Sequence, residues 1–293
     1  MNKLKITDHN PFNGIYYGNE SGYLKVNNDV PYLRFPLLDQ FSELKHGYST
    51  RLGGVSEGHC SSMSFSVKCG DTVPQVLENF RRMSEAIGVS KELLVLTDLV
   101  HKDVVIPVGP EHICDEEGHT VLQGVDGIVT NIPGITLVCF TADCVPLFFY
   151  DPKHQAIGLS HAGWRGTVAQ IGRKTLRMMN TEYGTDANDV YVVIGPSICP
   201  ECYEVSEEVA QACRETFPEN TLGEFLTPGR PEHYQLDLWQ ANKVGLKLAG
   251  VPESQISISE ICTCCNHELL HSHRATAGKR GLLTGYLSLA KES

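Results

Sequence analysis

Long apolar runs are missing from this sequence. No stretch approaches the roughly 18 consecutive apolar residues that a membrane-spanning helix requires, and residues 1–30 contain no continuous apolar segment of the signal-peptide kind. These absences exclude an integral membrane protein from the expected classes. We therefore predict a cytoplasmic protein without a membrane partner.

Basic residues are also scarce. The chain has 24 Lys and Arg against 35 Asp and Glu, which gives a formal net charge of −11 at pH 7. No local run of Lys and Arg offsets that charge, so the long-range field repels phosphate backbones. Nucleic acid is not predicted as a partner.

The number of cysteines is odd. There are 11 of them, so a complete set of intrachain disulfides is impossible. Because the sequence shows no secretory signal, free thiols and metal ligands explain the cysteines better than disulfides do.

The apolar pattern of the 293 residues predicts an α+β fold. Short alternating or apolar segments predict extended chain at 15–48, 93–108, 125–130, 135–140, 145–150, 155–160 and 190–194. Helical spacing predicts helices at 73–87, 167–179, 206–217 and 237–249. With no repeat or linker, we expect mixed β-sheets flanked by helices in a single compact domain over residues 1–293, with a boundary near 185 as the alternative.

One predicted hairpin brings a cysteine close to a histidine. If the turn between strands 145–150 and 155–160 is centred between Pro152 and Lys153, Cys144 faces His161. Directly opposed residues have Cβ atoms about 4.5–5.5 Å apart, close enough for thiolate and imidazole to share a metal ion. Pro146 lacks an N–H, so this register is conditional.

Three interpretations of the Cys144–His161 pair are open. The two residues could bind a metal, form a nucleophile and its base, or lie together in the core. Asp143 is next to Cys144, and His161 begins the glycine-rich segment 161–166. Such clustering of polar groups at a strand end favours a functional interpretation.

Several motifs occur in the order typical of one family. They lie at 46–56, 70–79, 99–101, 126–130, 141–144, 161–166, 194–198, 202–205 and 262–263. Through these motifs the chain resembles, over nearly its whole length, the bacterial laccase-domain family, also called the multicopper polyphenol oxidase or YfiH-like family.

The resemblance implies a metal site and a catalytic role for its ligands. It assigns His101, Cys144 and His161 to one zinc ion, with copper as the alternative metal. Three protein ligands leave a position for water or substrate, as in catalytic rather than structural zinc sites. Asp143, beside the cysteine, is expected to assist proton movement.

The resemblance also implies a reaction. Similar proteins phosphorolyse adenosine, inosine, guanosine and methylthioadenosine and deaminate adenosine, so a purine nucleoside and phosphate are the expected partners. Phosphorolysis requires cationic donors for phosphate. Arg51, His46 and Arg165 lie in the resembling motifs and are the candidates for substrate binding.

Other functions are kept as alternatives. Copper-dependent polyphenol oxidation is disfavoured, because a multicopper site needs many His-x-His pairs and the sequence has one, at His271 and His273. A cysteine hydrolase would use Cys144 and His161 without requiring His101. A non-catalytic regulator that binds a nucleoside or a metal is the third alternative.

The sequence departs from the family pattern at two positions and in one segment. Leu99 replaces a Gln and Ser64 replaces an Asn, so a hydrogen bond that supports the metal or the substrate is expected to be missing. The segment 270–274 retains Arg274 but carries histidines where the family has aromatic residues. Substrate preference is expected to differ accordingly.

The remaining cysteines include two closely spaced groups. Cys199 and Cys202 form one, and Cys262, Cys264 and Cys265 form the other. Paired cysteines at short spacing suit a tetrahedral structural zinc, and the spacing alone leaves this second site open.

Overall fold

The computed structural model describes residues 18–98, 100–113 and 121–291. The strands in this part of the chain are β1 (Gly18–Asn19), β2 (Gly22–Asn27), β3 (Val30–Arg34), β4 (Leu44–Ser49), β5 (Leu94–Thr97), β6 (Val105–Pro107), β7 (Val121–Leu122), β8 (Gly127–Thr130), β9 (Thr136–Thr141), β10 (Val145–Asp151), β11 (Ala156–Ala162), β12 (Tyr191–Ile194), β13 (Glu204–Ser206), β14 (Leu226–Pro228), β15 (His233–Leu236), β16 (Ile256–Ile258) and β17 (Leu283–Leu289). The helices are α1 (Pro36–Asp39), α2 (Val73–Ile87), α3 (Trp164–Val168), α4 (Ile171–Tyr183), α5 (Glu207–Thr216), α6 (Glu219–Leu222) and α7 (Leu238–Leu248).

Two mixed sheets dominate the described residues. The larger sheet has the strand order β1-β2-β3-β4-β17-β9-β5-β7, and the smaller has the order β16-β12-β10-β11-β8-β6. A short third sheet contains β13, β15 and β14. Most pairings are antiparallel, but β5 pairs in parallel with β7 and β9, β6 with β8, and β12 with β16.

The two sheets stack face to face over a shared apolar core. Leu137 and Leu287 enter it from the larger sheet, and Phe148 and Leu159 enter it from the smaller. Gly285 on β17 permits the close approach, because a Cβ there would lie 2.9 Å from Cζ of Phe148. The sheets are therefore held together mainly by burial of apolar side chains.

Helices cover both outer faces. On the larger sheet, Phe80 and Met83 of α2 share a cluster with Val138 and Phe140. On the smaller sheet, side chains of α4 and α7 share a cluster with β10, and this cluster contains residues from both sides of position 185. The α+β class with mixed sheets in a single compact domain is confirmed. The extent 1–293 stays a prediction, because residues 1–17 and 292–293 lie outside the described part. None of the described helices is long and apolar enough to cross a membrane.

Three of the four predicted helices are confirmed. Helix α2 starts after Thr72 and ends at Gly88, which has a left-handed φ of 83°. Helix α5 starts after Ser206, and α7 starts after Asp237, whose carboxylate accepts the N–H of Gln240 at 3.0 Å. The left-handed glycine after α2 and the Asp237 cap of α7 follow the local capping chemistry of the sequence, whereas Ser206 makes no side-chain cap bond to α5.

Two predicted segments require correction. The helix expected at 167–179 is two helices, α3 and α4, because Gln170 has a φ of 58° and breaks the helical path. The chain expected to be extended from 93 to 108 is a strand only up to Thr97 and again from Val105. Between them His101 has a left-handed φ of 57°.

The predicted hairpin register is also wrong. In the structure β10 pairs with β11 so that Pro146, not Cys144, faces His161. The cause is a wider turn: the Asp151 carboxylate accepts the N–H groups of Lys153 and His154, at 2.9 and 3.3 Å. This side-chain turn moves the pairing along the strands.

The chain crosses repeatedly from the larger to the smaller sheet at one end of the stack. It does so between β5 and β6, between β7 and β8, and between β9 and β10. These connections carry His101, Asp126 and Cys144, respectively. Residues far apart in sequence therefore meet at this end.

We predict that the core between the sheets determines stability. Leu287 is 0% exposed there, whereas Leu248 at the end of α7 is 56% exposed. Leu287→Ala should lower the free energy of unfolding by about 2–5 kcal/mol, because it leaves a cavity. Leu248→Ala, the matched control, should change it by less than about 0.5 kcal/mol. Denaturant unfolding measures both, and equal effects would contradict this account of the core.

Candidate metal centre

His101, Cys144 and His161 converge at the end where the chain crosses between sheets. One ligand atom from each lies within 4.8 Å of the others. The rings of His101 and His161 are nearly perpendicular, at 88°, with centroids 4.9 Å apart. His161 is buried and His101 is exposed. The three donors therefore form a site that opens to solvent on the His101 side.

Asp126 holds two parts of this site. Its carboxylate bonds Nδ1 of His161 at 2.9 Å and accepts the backbone N–H groups of His101 and Lys102 at 3.2 and 2.6 Å. Burial raises the pKa of Asp126, but these bonds outweigh it and lower the pKa. Asp126 is therefore an anion that orients one histidine and the backbone of the other.

The donor set fits a metal ion. With Nδ1 of His161 engaged by Asp126, Nε2 is the atom available to a ligand, and within the described residues it is buried without a hydrogen-bond partner. An unpaired buried nitrogen is costly unless something binds it. A histidine that contacts a carboxylate through one nitrogen and a metal through the other is a common arrangement.

Cys144 has the chemistry of a ligand. Burial raises the pKa of its thiol, but the adjacent imidazoles of His161 and His101 outweigh burial and lower the pKa to about 6. The thiolate is the form of cysteine that binds metals and attacks electrophiles. Two imidazoles and one thiolate suit zinc and leave a fourth position open.

Gly163 leaves the space in which the ligands meet. A Cβ on this residue would lie 2.9 Å from Sγ of Cys144, 3.3 Å from Cδ2 of His101 and 3.6 Å from Cε1 of His161. Its φ of −70° is open to any residue, so the constraint is space rather than backbone conformation. The strand register supports this contact, because Val145 faces Ala162 and places Cys144 beside Gly163.

Asp143 is fixed by its surroundings. Its carboxylate accepts the hydroxyl of Thr263 at 2.6 Å and the backbone N–H of Arg274 at 2.7 Å. Its carbonyl accepts the N–H of Ile198 at 3.0 Å, and its φ is 80°. A non-glycine residue in this left-handed region persists only where the surroundings hold it. These contacts define the corner that presents Cys144.

An aromatic and cationic surface adjoins the site. The guanidinium of Arg274 lies 5.3 Å from the ring centroid of Tyr203 and donates to the carbonyl of Cys202 at 2.8 Å. Burial and then the charge of Cys144 raise the pKa of Tyr203, while Arg274 and Arg165 lower it. Tyr203 is thus close to both the cations and the thiolate. The sequence interpretation missed its role, although it lies in one of the family motifs.

The predicted substrate residues occupy different environments. Arg165 is exposed and stacks on Trp164, 4.2 Å from its ring centroid. Arg51 donates to the carbonyls of Ser61 and His267, each at 2.9 Å, and so joins two loops. His46 is 0% exposed within β4. The structure does not bring His46 to the metal centre.

His46 is part of the core instead. Its Nε2 accepts the N–H of Phe35 at 3.1 Å, and the two rings stack with centroids 5.8 Å apart. Burial lowers the pKa of His46 well below its usual value. A neutral, enclosed imidazole has no surface with which to contact phosphate.

The departures from the family pattern lie only partly within the described residues. Leu99 lies outside the described residues. Ser64 is buried, its carbonyl accepts Asn79 at 2.7 Å, and its hydroxyl accepts the N–H of Leu282 at 3.4 Å. His271 is a core residue whose pKa is lowered to about 3, mainly by burial.

A separate cleft lies beside the larger sheet. Its volume is about 520 Å³, and its lining includes Phe65, Phe80, Phe140 and Arg280 but none of the three donors. Its walls are mainly apolar. The side chains that could bind a metal lie outside this cleft, at His101, Cys144 and His161. We therefore place the candidate active site at the metal centre.

Comparison with known proteins identifies relatives of the whole fold. The family model described as multi-copper polyphenol oxidoreductase laccase matches residues 45–290. A protein of Bacteroides thetaiotaomicron named purine nucleoside phosphorylase is 36% identical over 270 residues, which cover 90% of this chain and 98% of that protein. The purine nucleoside phosphorylase YlmD of Bacillus subtilis is 35% identical over 84% of this chain and 89% of its own length. The crystal structure of YlmD from Geobacillus stearothermophilus is 33% identical, covers 92% of this chain and 99% of its own, and superposes with a TM-score of 0.85.

Filling the space at Gly163 should disturb the metal centre. Gly163→Ala places a methyl group against Cys144 and should weaken metal binding about tenfold or more, as displaced ligands do. Gly223→Ala is the matched control, since a Cβ there would meet nothing within 4 Å. Competition with a chromophoric chelator measures both affinities. Unchanged affinity in Gly163→Ala would show that the metal does not bind among these donors.

Removing the charge of Asp126 should weaken the same site. Asp126→Asn keeps the shape but turns an amide toward groups that already donate, so His101 and His161 lose their orientation. Metal affinity should fall about 10–100-fold. Chelator competition measures this, with circular dichroism to verify folding. A folded variant with wild-type affinity would contradict the role assigned to Asp126.

Proposed function

The chain belongs to the family of the multi-copper polyphenol oxidoreductase laccase model, and from this premise we propose that it is a zinc-dependent purine nucleoside phosphorylase. Relatives of nearly full length that carry the phosphorylase name support an enzyme of this kind. The observation that carries the proposal is the open donor set at His101, Cys144 and His161, beside the cations and the tyrosine.

Zinc is the metal that the donors favour. A bound zinc ion would supply a Lewis acid at the reacting centre. Two imidazoles and a thiolate with a free position are typical of catalytic zinc. In the described residues the other candidate metal group contains only cysteines. A laccase holds several copper ions with pairs of histidines, and the described residues offer no such set of ligands. Copper in the single site remains the alternative metal.

In phosphorolysis, an oxygen of phosphate bonds to C1′ of the ribose while the bond from C1′ to the purine breaks. The electron pair leaves with the base, which takes up a proton, and ribose 1-phosphate is the other product. The base fits against the ring of Tyr203, and the exposed guanidinium of Arg165 binds phosphate. Arg51 supports the loop at Ser61 by donating to the carbonyl of that residue. Adenosine, inosine, guanosine and methylthioadenosine are the proposed substrates.

Deamination of adenosine is the second reaction of the proposal. A water oxygen bonds to C6 of the base, the bond from C6 to its amino nitrogen breaks, and ammonia leaves after protonation. Both carboxylate oxygens of Asp143 already accept hydrogen bonds, from Thr263 and Arg274. Asp143 is therefore proposed as a positioning residue for Cys144 rather than as a carrier of protons.

A cysteine hydrolase is the competing function. Asp126, His161 and Cys144 are arranged as orienting carboxylate, base and nucleophile. Burial lowers the pKa of His161, but Cys144 and Asp126 outweigh burial and raise the pKa to about 9. That chemistry needs neither His101 nor phosphate. A non-catalytic nucleoside or metal sensor would show no turnover at all.

Removal of His101 separates these functions. His101→Ala should lower kcat/KM for inosine phosphorolysis by at least about a hundredfold, because a Lewis acid contributes several kcal/mol. His154→Ala, on the turn at the far end of the hairpin, should retain activity. Ribose 1-phosphate and hypoxanthine are measured with and without phosphate. Full activity of His101→Ala, or product formed without phosphate, would favour the hydrolase.

A further inference from the structure

A second group of metal-binding side chains lies beside the proposed active site. The sulfur atoms of Cys199, Cys202, Cys262 and Cys265 all lie within 4.8 Å of one another. Sγ of Cys265 is 3.5 Å from that of Cys202 and 3.9 Å from that of Cys199. Cys264 is not a member of this group. We propose that the four cysteines hold a structural zinc ion that stabilises one wall of the active site.

The sulfur geometry fits one tetrahedral ion. Zinc–sulfur bonds of about 2.3 Å place the corners of a tetrahedron about 3.8 Å apart, close to the two separations found here. A disulfide has sulfurs about 2.05 Å apart and would use only two of the four. A cluster of several metal ions would need its ligands to stand farther apart.

Backbone amides support a charged sulfur at this position. The N–H groups of Cys199 and Cys265 both donate to Sγ of Cys262, each at 3.3 Å. Each of the two Cys-x-x-Cys segments thus directs one backbone N–H toward a sulfur atom of the group. Four thiolates saturate zinc and leave no position for substrate, which is the arrangement of a structural rather than a catalytic site.

The position of the group explains what it stabilises. Thr263, next to Cys262, donates to Asp143 at 2.6 Å. The carbonyl of Cys202 accepts the guanidinium of Arg274 at 2.8 Å, and Tyr203 follows Cys202 directly. The two cysteine loops therefore carry groups that fix the Cys144 corner and the Tyr203 surface. An ion that joins the loops would fix both.

Backbone contacts also join the two cysteine loops. Ser197 and Cys262 form an isolated bridge, and the N–H of Thr263 donates to the carbonyl of Ser197 at 3.0 Å. The loops belong to segments more than sixty residues apart in sequence, since 63 positions separate Cys199 from Cys262. A metal ion that closes such a long connection contributes stability by restricting the unfolded chain.

Metal content of purified protein tests the proposal without an activity assay. The wild type should contain two zinc ions per chain, and Cys144→Ala should contain one. The double variant Cys202→Ser, Cys265→Ser should also contain one, held by the other site, whereas the control Cys264→Ser should keep two. Failure of phosphorolysis alone would overturn the proposed function and leave this stoichiometry unchanged.

If the double variant does not fold, X-ray absorption at the zinc edge still tests the proposal, because it identifies the atoms bound to zinc in another variant. In Cys144→Ala, whose substitution lies outside the four-cysteine group, the remaining zinc should show four sulfur ligands at about 2.3 Å. Zinc with nitrogen or oxygen ligands, no zinc in this variant, or a disulfide found by mass spectrometry of alkylated, unreduced protein would each overturn the proposal.

Discussion

The metal centre depends on the buried carboxylate of Asp126. This one group bonds the ring of His161 and the backbone at His101 and Lys102. It thus joins the end of a strand in the smaller sheet to a connection between the two sheets. Because the anion is itself buried, it is stable only while all these donors surround it. The positions of two proposed ligands are therefore set by a residue that need not contact the metal.

The candidate site lies at one end of the fold because the chain crosses between the two sheets there. His101 and Asp143 both adopt left-handed backbone conformations at these crossings, and such conformations are tolerated where surrounding bonds compensate their cost. Gly163 provides the remaining space between the donors. An open group of mixed donors and a second group of four cysteines then lie side by side. The open site is suited to a reaction, and the closed site to holding the loops that line it.

The sequence predicted which three side chains come together but not their geometry. Motif resemblance identified His101, Cys144 and His161, and helical spacing with capping residues located α2, α5 and α7. The hairpin register was wrong because Asp151 widens the turn, which apolar alternation does not reveal. The roles of Tyr203 and Asp126 were not predicted, because they arise from contacts between segments that are distant in sequence. His46 lies in a family motif, yet burial in the core, which no single motif reports, removes it from the site.

The proposed function requires a metal ion bound among His101, Cys144 and His161. Anomalous diffraction from crystals, recorded on both sides of the zinc absorption edge, tests this claim most directly. We predict a zinc peak about 2.0–2.3 Å from a nitrogen of each histidine and from Sγ of Cys144. Crystals of active protein that give no anomalous peak among these three side chains would contradict it.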